Sequence, residues 1–324
     1  VAVETDETGI ALTSLETLTL ARELAEPAGV PLHALLFATT EPPTEQMLGQ
    51  LGEQGVATVY ITAEPRLAAY AAAAWASAAV QVAQAVSARV VVASGTPRGG
   101  ELLAHISARL DVAMAANVTA IEGLAPFTVT RQVMGGSVLE EMRLADSPAV
   151  FTVAGHACEA TPAAAVSTPV VTPYRPTVED ADLVARVVRT EAGEQDHSAA
   201  LSAARVVVAA GRGANGPDGF KSLLELTDLL GGALGVSRVV TSLGWRPHHE
   251  QVGQTGVRVA PDLYVACGIS GAIQHWAGMS SSKTIVAVNT DPDAPMVTRA
   301  HYAVIGDLHE IVPAVNDEIR RRGH

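Results

Sequence analysis

The chain has 324 residues, with 21 Lys and Arg against 34 Asp and Glu, a formal net charge of −13 and a pI near 5.2. That acidity argues against nucleic acid and anionic membrane surfaces as partners, and the length allows two domains. Cys158 and Cys267 are too few and too far apart for a disulfide framework or a metal site, so a reducing, cytoplasmic setting is expected. The mean hydropathy of +0.25 is high, and fits an α/β chain with a buried sheet or a surface hidden by a partner subunit. No stretch reads as a membrane span, and residues 65–86, though rich in alanine, are interrupted by Arg66, Tyr70, Ser77, Gln81 and Gln84. No signal-peptide pattern stands at the start, where the first residue is valine.

In the first half, Thr13-Ser-Leu-Glu16 reads as a capping box, with Leu15, Leu18, Ala21, Arg22 and Leu24 continuing a helix. Apolar runs predict strands at 32–38, 58–62 and 89–94, alternating with helices at 44–51, 68–87 and 101–110. This alternation predicts a mostly parallel sheet covered on both faces. Gly99 and Gly100 lack the Lys-Ser/Thr ending of a P-loop, and read as a turn or as the relic of a nucleotide-binding fold. From Asn117 the rhythm changes to short strands at 118–122, 127–133, 138–142 and 149–153, predicting an antiparallel meander or extension. Met134-Gly-Gly136 is a hairpin-type turn between two of them. Residues 160–175 carry Pro162, Pro169 and Pro173, with Pro176 just beyond, and read as an extended connection, followed by one more strand at 184–190. The polar stretch 191–198 places the boundary near 200, giving domains 1–199 and 200–324.

The second domain predicts strands at 205–209, 239–241, 263–266, 284–288 and 302–305, with helices at 219–230, 271–278 and 308–322. The whole chain is therefore expected to be α/β, two domains each with a mainly parallel sheet flanked by helices, the second doubly wound. After its strands come Gly211-Arg212-Gly213, Ser242, Gly268 with Ser270, Asn289 and Asp307. Open α/β sheets bind ligands beyond the carboxyl ends of their strands, so polar groups at these ends imply one shared crevice. Gly268 and Gly271 let the chain turn sharply, Ser270 stands where an N-cap would, and a helix start favours negative charge. Gln251, Gln254, Thr255, Ser270, Gln274 and His275 add uncharged donors and acceptors, an inventory suited to a large, flat ligand carrying a pyrophosphate. The pattern is not the G-x-G-x-x-G dinucleotide turn. His248-His249-Glu250 has poor ligand spacing for a metal and reads as a solvated loop.

These segments resemble the alpha subunit of electron transfer flavoprotein, closely over 205–324 and more loosely over 1–200. The most specific are Gln251-Val-Gly-Gln-Thr-Gly256, Pro261-x-Leu-Tyr264, Gly268-Ile-Ser-Gly-Ala-Ile-Gln-His275, Ala277-Gly-Met279, Ile285-Val-Ala-Val-Asn289 and Asp291-Pro-Asp-Ala-Pro295. Arg131-x-x-x-Gly-Gly136 resembles the family's Gly-Gly hairpin in the first half. The resemblance implies a heterodimer with a beta subunit, which carries AMP or a second FAD, and a first domain in contact with that subunit. It implies FAD held mainly by the second domain, and an electron carrier rather than an enzyme. Single electrons would pass from an acyl-CoA-type or other flavin dehydrogenase to an acceptor through a stabilised semiquinone, most commonly in fatty-acid beta-oxidation. By motif match, Arg212 and Ser237 would touch the phosphates or ribityl chain, and Arg238 would lie over the isoalloxazine. Gln251, Val252, Gly253, Gln254 and Thr255 would line the flavin edge, with the Thr255 hydroxyl near N5. Ser270, Gly271, Ala272, Ile273, Gln274 and His275 would bring amides to the pyrophosphate and the His275 ring to the O2 side. Asn289, Asp307 and Leu308 would hold the adenosine end, and Asp307 can cap the last helix at the same time. The family usually has Asp where Ser242 stands, Asn-Asp where His248-His249 stand, and Lys where Val257 stands. These departures bear on redox potential and partner identity.

The alternative is a free-standing nucleotide-binding or dehydrogenase-like protein, which would need an acid, base or nucleophile set in residues 1–200. Glu101 and His105, one helical turn apart, are the nearest approach to such a set and lack a third member.

Overall fold

The computed structural model describes residues 1–6, 9–37, 42–134, 138–189, 201–202 and 204–323. They group into two compact units, one of residues 1–133 and 139–191, the other chiefly of residues 192–324.

The strands of the first unit are β1 (Ala2–Val3), β2 (Thr5–Asp6), β3 (Gly9–Ile10), β4 (His33–Leu36), β5 (Thr58–Thr62), β6 (Val90–Ser94), β7 (Met114–Leu124), β8 (Phe127–Val133), β9 (Val138–Leu144), β10 (Ala149–Val153) and β11 (Val170–Tyr174). Nine of them form one sheet in the order β11-β5-β4-β1-β6-β10-β7-β8-β9. From β11 to β7 neighbours run parallel, whereas β7 and β8 form an antiparallel hairpin. Side chains alternate across the sheet. Phe151 therefore joins Leu18, Leu36 and Leu51 on one face, while Val150 joins Ala74, Ala78, Leu103 and Ile106 on the other.

Several local expectations change. The first helix, Leu12–Ala28, begins at the Ala11 N-cap without a side-chain cap, so Thr13 and Glu16 form no capping box. The Glu16 carboxylate is drawn instead to the segment after β10. It accepts from the His156 amide at 2.9 Å and lies 3.0 Å from His156 Nδ1. The helix expected at 101–110 starts earlier, at Pro97–Leu110, because Thr96 caps it by accepting from the Gly99 amide at 2.9 Å. Gly99 and Gly100 are thus helical, and form neither a turn nor a phosphate loop. A side chain on Gly99 would run into the Ser94 carbonyl, 2.1 Å from the position its Cβ would take. Glu101 accepts from the Tyr70 hydroxyl at 2.7 Å.

The expected meander is only partly present, since β10 returns to the parallel sheet between β6 and β7. Part of the proline-rich connection pairs as the edge strand β11. Pro173 is tolerated there because an edge strand need not donate on both sides. Asp180–Leu183 forms a 3-10 turn, and residues 184–189 form no strand. Residue 190, the boundary stretch 191–200 and the glycines of Met134-Gly-Gly136 lie outside the described residues.

The second unit holds β12 (Val206–Ala210), β13 (Ala233–Val236), β14 (Leu263–Cys267), β15 (Thr284–Asn289) and β16 (Tyr302–Ile305), in the order β13-β12-β14-β15-β16 and parallel throughout. Residues 207–210 of β12 are wholly buried, as a central parallel strand requires. At the far edge, every residue of β16 is exposed. The strand expected at 239–241 is instead the helix Arg238–Ser242, and the strand it displaces is β13. Helices Lys221–Leu229 and Leu308–Arg322 pack on the sheet, with Phe220, Leu223 and Val312 buried beneath them. Among the described residues, no helix is long and apolar enough to cross a membrane.

Phe151 is wholly buried at the centre of the first sheet. Phe151→Ala should therefore destabilise this unit by about 3–5 kcal/mol, read as a lower urea midpoint.

Candidate functional site

Five parallel strands ending at one edge put five connections side by side. All of them, with the loops 251–255 and 268–275, line one cavity of about 940 Å³. Chain order reverses between β12 and β14. At such a reversal, successive connections leave on opposite faces and open a crevice. The floor of this crevice is backbone. The Gly211 amide donates to the Cys267 carbonyl at 3.0 Å, and the Gly213 amide to the Gly268 carbonyl at 3.1 Å. A Cβ on Gly211 would lie 2.3 Å from that Gly268 oxygen, and Gly268 itself has φ +61°, so glycine is required on both sides.

From β13, Ser237 and Arg238 reach the cavity wall, followed by Gln251–Thr255. Gln251 is buried and fixed at both ends of its amide. Its Oε1 accepts from the Thr241 hydroxyl at 2.7 Å, and its Nε2 donates to Thr255 Oγ1 at 3.1 Å. The latter bond leaves the Thr255 hydroxyl proton free to point elsewhere. The Gln254 amide donates to the Gln274 carbonyl at 2.7 Å, joining this loop to the one bearing His275. From β15, Asn289 donates through Nδ2 to the Ile269 carbonyl at 3.0 Å. At β16, Asp307 caps the last helix, accepting from the His309 amide at 2.8 Å, and the buried Leu308 follows.

Every expected site residue except Gly271 and Ile273 lies on this one wall. Gly271 is wedged against Met296, whose amide nitrogen lies 2.3 Å from where a Cβ would sit. Ile273 opens the four-residue helix Ile273–Trp276 with a half-exposed side chain. That helix is capped by Ala272, not Ser270, and no side chain bonds to its start. Sequence reading missed Asn215, Val239, Ile269, Thr290, Asp291, Ala294 and Gly306, which also line the cavity. Val239, Ile269, Thr290 and Gly306 adjoin an expected residue, whereas Asn215, Asp291 and Ala294 stand further along the same strand-end loops; correct placement of β13 would have brought in Val239. Ser242, taken as a strand end, is the exposed last residue of the helix Arg238–Ser242 and lies off the wall. His248–Glu250 is a 3-10 turn, and among the described residues no group of three or more His, Cys, Asp or Glu could hold a metal ion.

The wall carries two cations, Arg212 and Arg238, both exposed. It also carries two buried polar atoms without a partner, Ser237 Oγ and His275 Nδ1. Buried polar groups are ordinarily hydrogen-bonded, so such orphans on a cavity wall point to a ligand. Burial pushes the His275 imidazole down to about 4, and the nearby Val252 carbonyl opposes this only in part. His275 is therefore neutral at physiological pH, and positive charge in the cavity comes from arginine. Size, uncharged donors, glycine floor and orphaned atoms together fit FAD.

Comparison with known proteins agrees. Residues 1–177 match the electron transfer flavoprotein domain, and residues 200–280 match the electron transfer flavoprotein FAD-binding domain. The electron transfer flavoprotein subunit alpha of Thermoanaerobacterium thermosaccharolyticum is 34% identical over 313 residues, covering 95% of this chain and 93% of that protein. The Mycobacterium leprae subunit alpha is 33% identical over 323 residues, 99% of this chain and 98% of that one. The Paracoccus denitrificans subunit alpha is 37% identical over 230 residues, 71% and 72% respectively. The second unit thus contains an FAD-binding domain of the electron transfer flavoprotein class. The chain belongs to the electron transfer flavoprotein alpha-subunit family.

Two outcomes follow from this geometry. Gly211→Ala should force the two floor loops apart and weaken FAD binding by at least about tenfold, measured by flavin fluorescence titration. His275 should also give the second unit an acid-side sensitivity. Above its ordinary pKa of 6.5 the ring is neutral in both states and contributes nothing; between 6.5 and about 4, only the unfolded state binds the proton. Stability should fall through that window, and His275→Asn should remove this part of the fall, checked by urea unfolding at pH 7 and pH 5.

Proposed function

We propose that this chain is the alpha subunit of a heterodimeric electron transfer flavoprotein, acting as an electron carrier rather than as an enzyme. Its electrons come from an acyl-CoA-type or other flavin dehydrogenase and go to a redox acceptor, fatty-acid beta-oxidation being the first pathway to test. The partner is a beta subunit, carrying AMP or a second FAD, against which the first domain (1–199) packs, while 200–324 holds the cofactor. The complex works in the cytoplasm without stable membrane insertion. FAD supplies the single-electron chemistry when bound, through a stabilised semiquinone.

One observation carries this reading: the cavity sorts its donors along the strand order. Arg238, Gln251 and Thr255 stand at the β13 side, which suits the isoalloxazine edge, with Thr255 toward N5 and His275 toward O2. Arg212, Ser237 and the 270–274 amides suit the ribityl and pyrophosphate portion. Asn289, Asp307 and Leu308 stand beyond β15 and β16 and suit the adenosine end. Gly271 and Ile273 would contribute only through the backbone. Within the first unit, the engagement of Glu101 with Tyr70 gives no support to a separate catalytic set there.

Arg238 is the cation placed to favour added negative charge on the ring. A charge-assisted hydrogen bond is worth roughly 1.5–3 kcal/mol, and about 59 mV corresponds to ~1.4 kcal/mol for one electron. Arg238→Ala should therefore lower the first-electron potential by roughly 60–130 mV in a redox titration. The broader test is co-expression with the beta subunit and a visible spectrum. A yellow heterodimer that turns red on stepwise reduction supports the proposal, and a colourless stable monomer overturns it.

A further inference from the structure

Tyr264, the second residue of β14, is wholly buried, and His275 is 6% exposed. The phenol oxygen lies 2.9 Å from His275 Nε2, with the two rings 6.2 Å apart and edge-on. A single hydrogen bond joins the two groups, and it has two possible directions. If Nε2–H donated to the phenol, the Tyr264 O–H would be left buried without an acceptor, a loss of about 1–3 kcal/mol. If the phenol donates to a bare Nε2, its proton is used and the neutral imidazole carries its own proton on Nδ1. Burial reinforces this choice from both sides, pushing the phenol well above its ordinary range and the imidazole down to about 4. Nδ1 of this cavity-lining residue is buried and makes no hydrogen bond of good geometry within the protein, although the Val252 carbonyl lies beside the ring.

We infer that Tyr264 is a positioning residue that fixes His275 as the Nδ1–H tautomer, so that the cavity presents a neutral donor to a carbonyl oxygen of its ligand. The inference rests on the FAD reading for the identity of that carbonyl, which is on the flavin's pyrimidine edge. It does not rest on that reading for the tautomer, which the protein's own atoms set. The arrangement divides the work between two side chains: Arg238 brings charge, and His275 brings direction without charge. Tyr264 never touches the ligand.

The test uses the full chain co-purified with its beta subunit, labelled with [15N]histidine. Before FAD is added, between pH 6 and 8, His275 should show a protonated Nδ1 and an unprotonated Nε2. Tyr264→Phe should mix the tautomers and raise the FAD dissociation constant about tenfold. In a His275→Asn background an amide nitrogen replaces Nδ1 and no tautomer remains to be fixed. There, Tyr264→Phe should change affinity by less than about twofold. A protonated Nε2 in the wild type, or equal losses in both backgrounds, would overturn the inference. If Tyr264→Phe fails to fold, the wild-type tautomer still decides. If the wild-type pair takes up no FAD while Nδ1 is protonated, the flavin reading falls and the tautomer assignment stands.

Discussion

Two backbone hydrogen bonds, Gly211 to Cys267 and Gly213 to Gly268, extend the β12–β14 ladder one step past the ends of the strands. Because Gly211, Gly213 and Gly268 carry no Cβ, the two loops meet main chain to main chain. Everything at the site depends on this closeness. It sets the cavity floor level with the strand ends, so that side chains from β13 and loops from β15 and β16 face a common space rather than separate notches. A wider gap would let water reach the floor, and the interactions made there would weaken in the higher dielectric.

The two units treat the polar groups at their strand ends in opposite ways. In the first, hydroxyls satisfy one another: Ser94 lies 3.3 Å from Ser14 and 3.1 Å from Thr17, Glu4 receives a bond from Thr96, and Ser14 accepts from the Glu4 amide. In the second, Ser237 and His275 keep buried atoms without partners. Unsatisfied groups of this kind cost stability in the free protein, and that cost is recovered when a ligand supplies the missing partners. The contrast holds at the carboxyl ends of the strands, since elsewhere His33 Nδ1 and Ser107 Oγ of the first unit and Asn316 Oδ1 of the second also lack partners.

Much of this was legible in the chain. The strand at 58–62 and the helix at 308–322 were bounded correctly because turn and cap residues bracket clean apolar patterns. The strand-end loops were legible because polar and glycine residues interrupt apolar runs, which packing alone does not explain. What escaped was decided by tertiary structure. Arg238–Ser242 contains three consecutive β-branched residues, Val239, Val240 and Thr241, yet it is helical, with Val240 buried and Val239 at the cavity. Short apolar runs do not distinguish strand from helix. The Thr13–Glu16 box fits its pattern, but Glu16 found a stronger partner in His156, far away in sequence. Gly99 looked like loop chemistry and is instead a packing requirement against Ser94. The Tyr264–His275 pair is invisible in sequence, where nothing shows that the two residues meet.

β16 has a further consequence. Tyr302, Val304 and Ile305 are 67%, 43% and 51% exposed on a strand bonded to a neighbour on one side only. Peptide groups along its outer side form an unpaired template, with apolar side chains in place of the charges and prolines that usually blunt such an edge. Left bare, such an edge makes the chain prone to self-association through added strands.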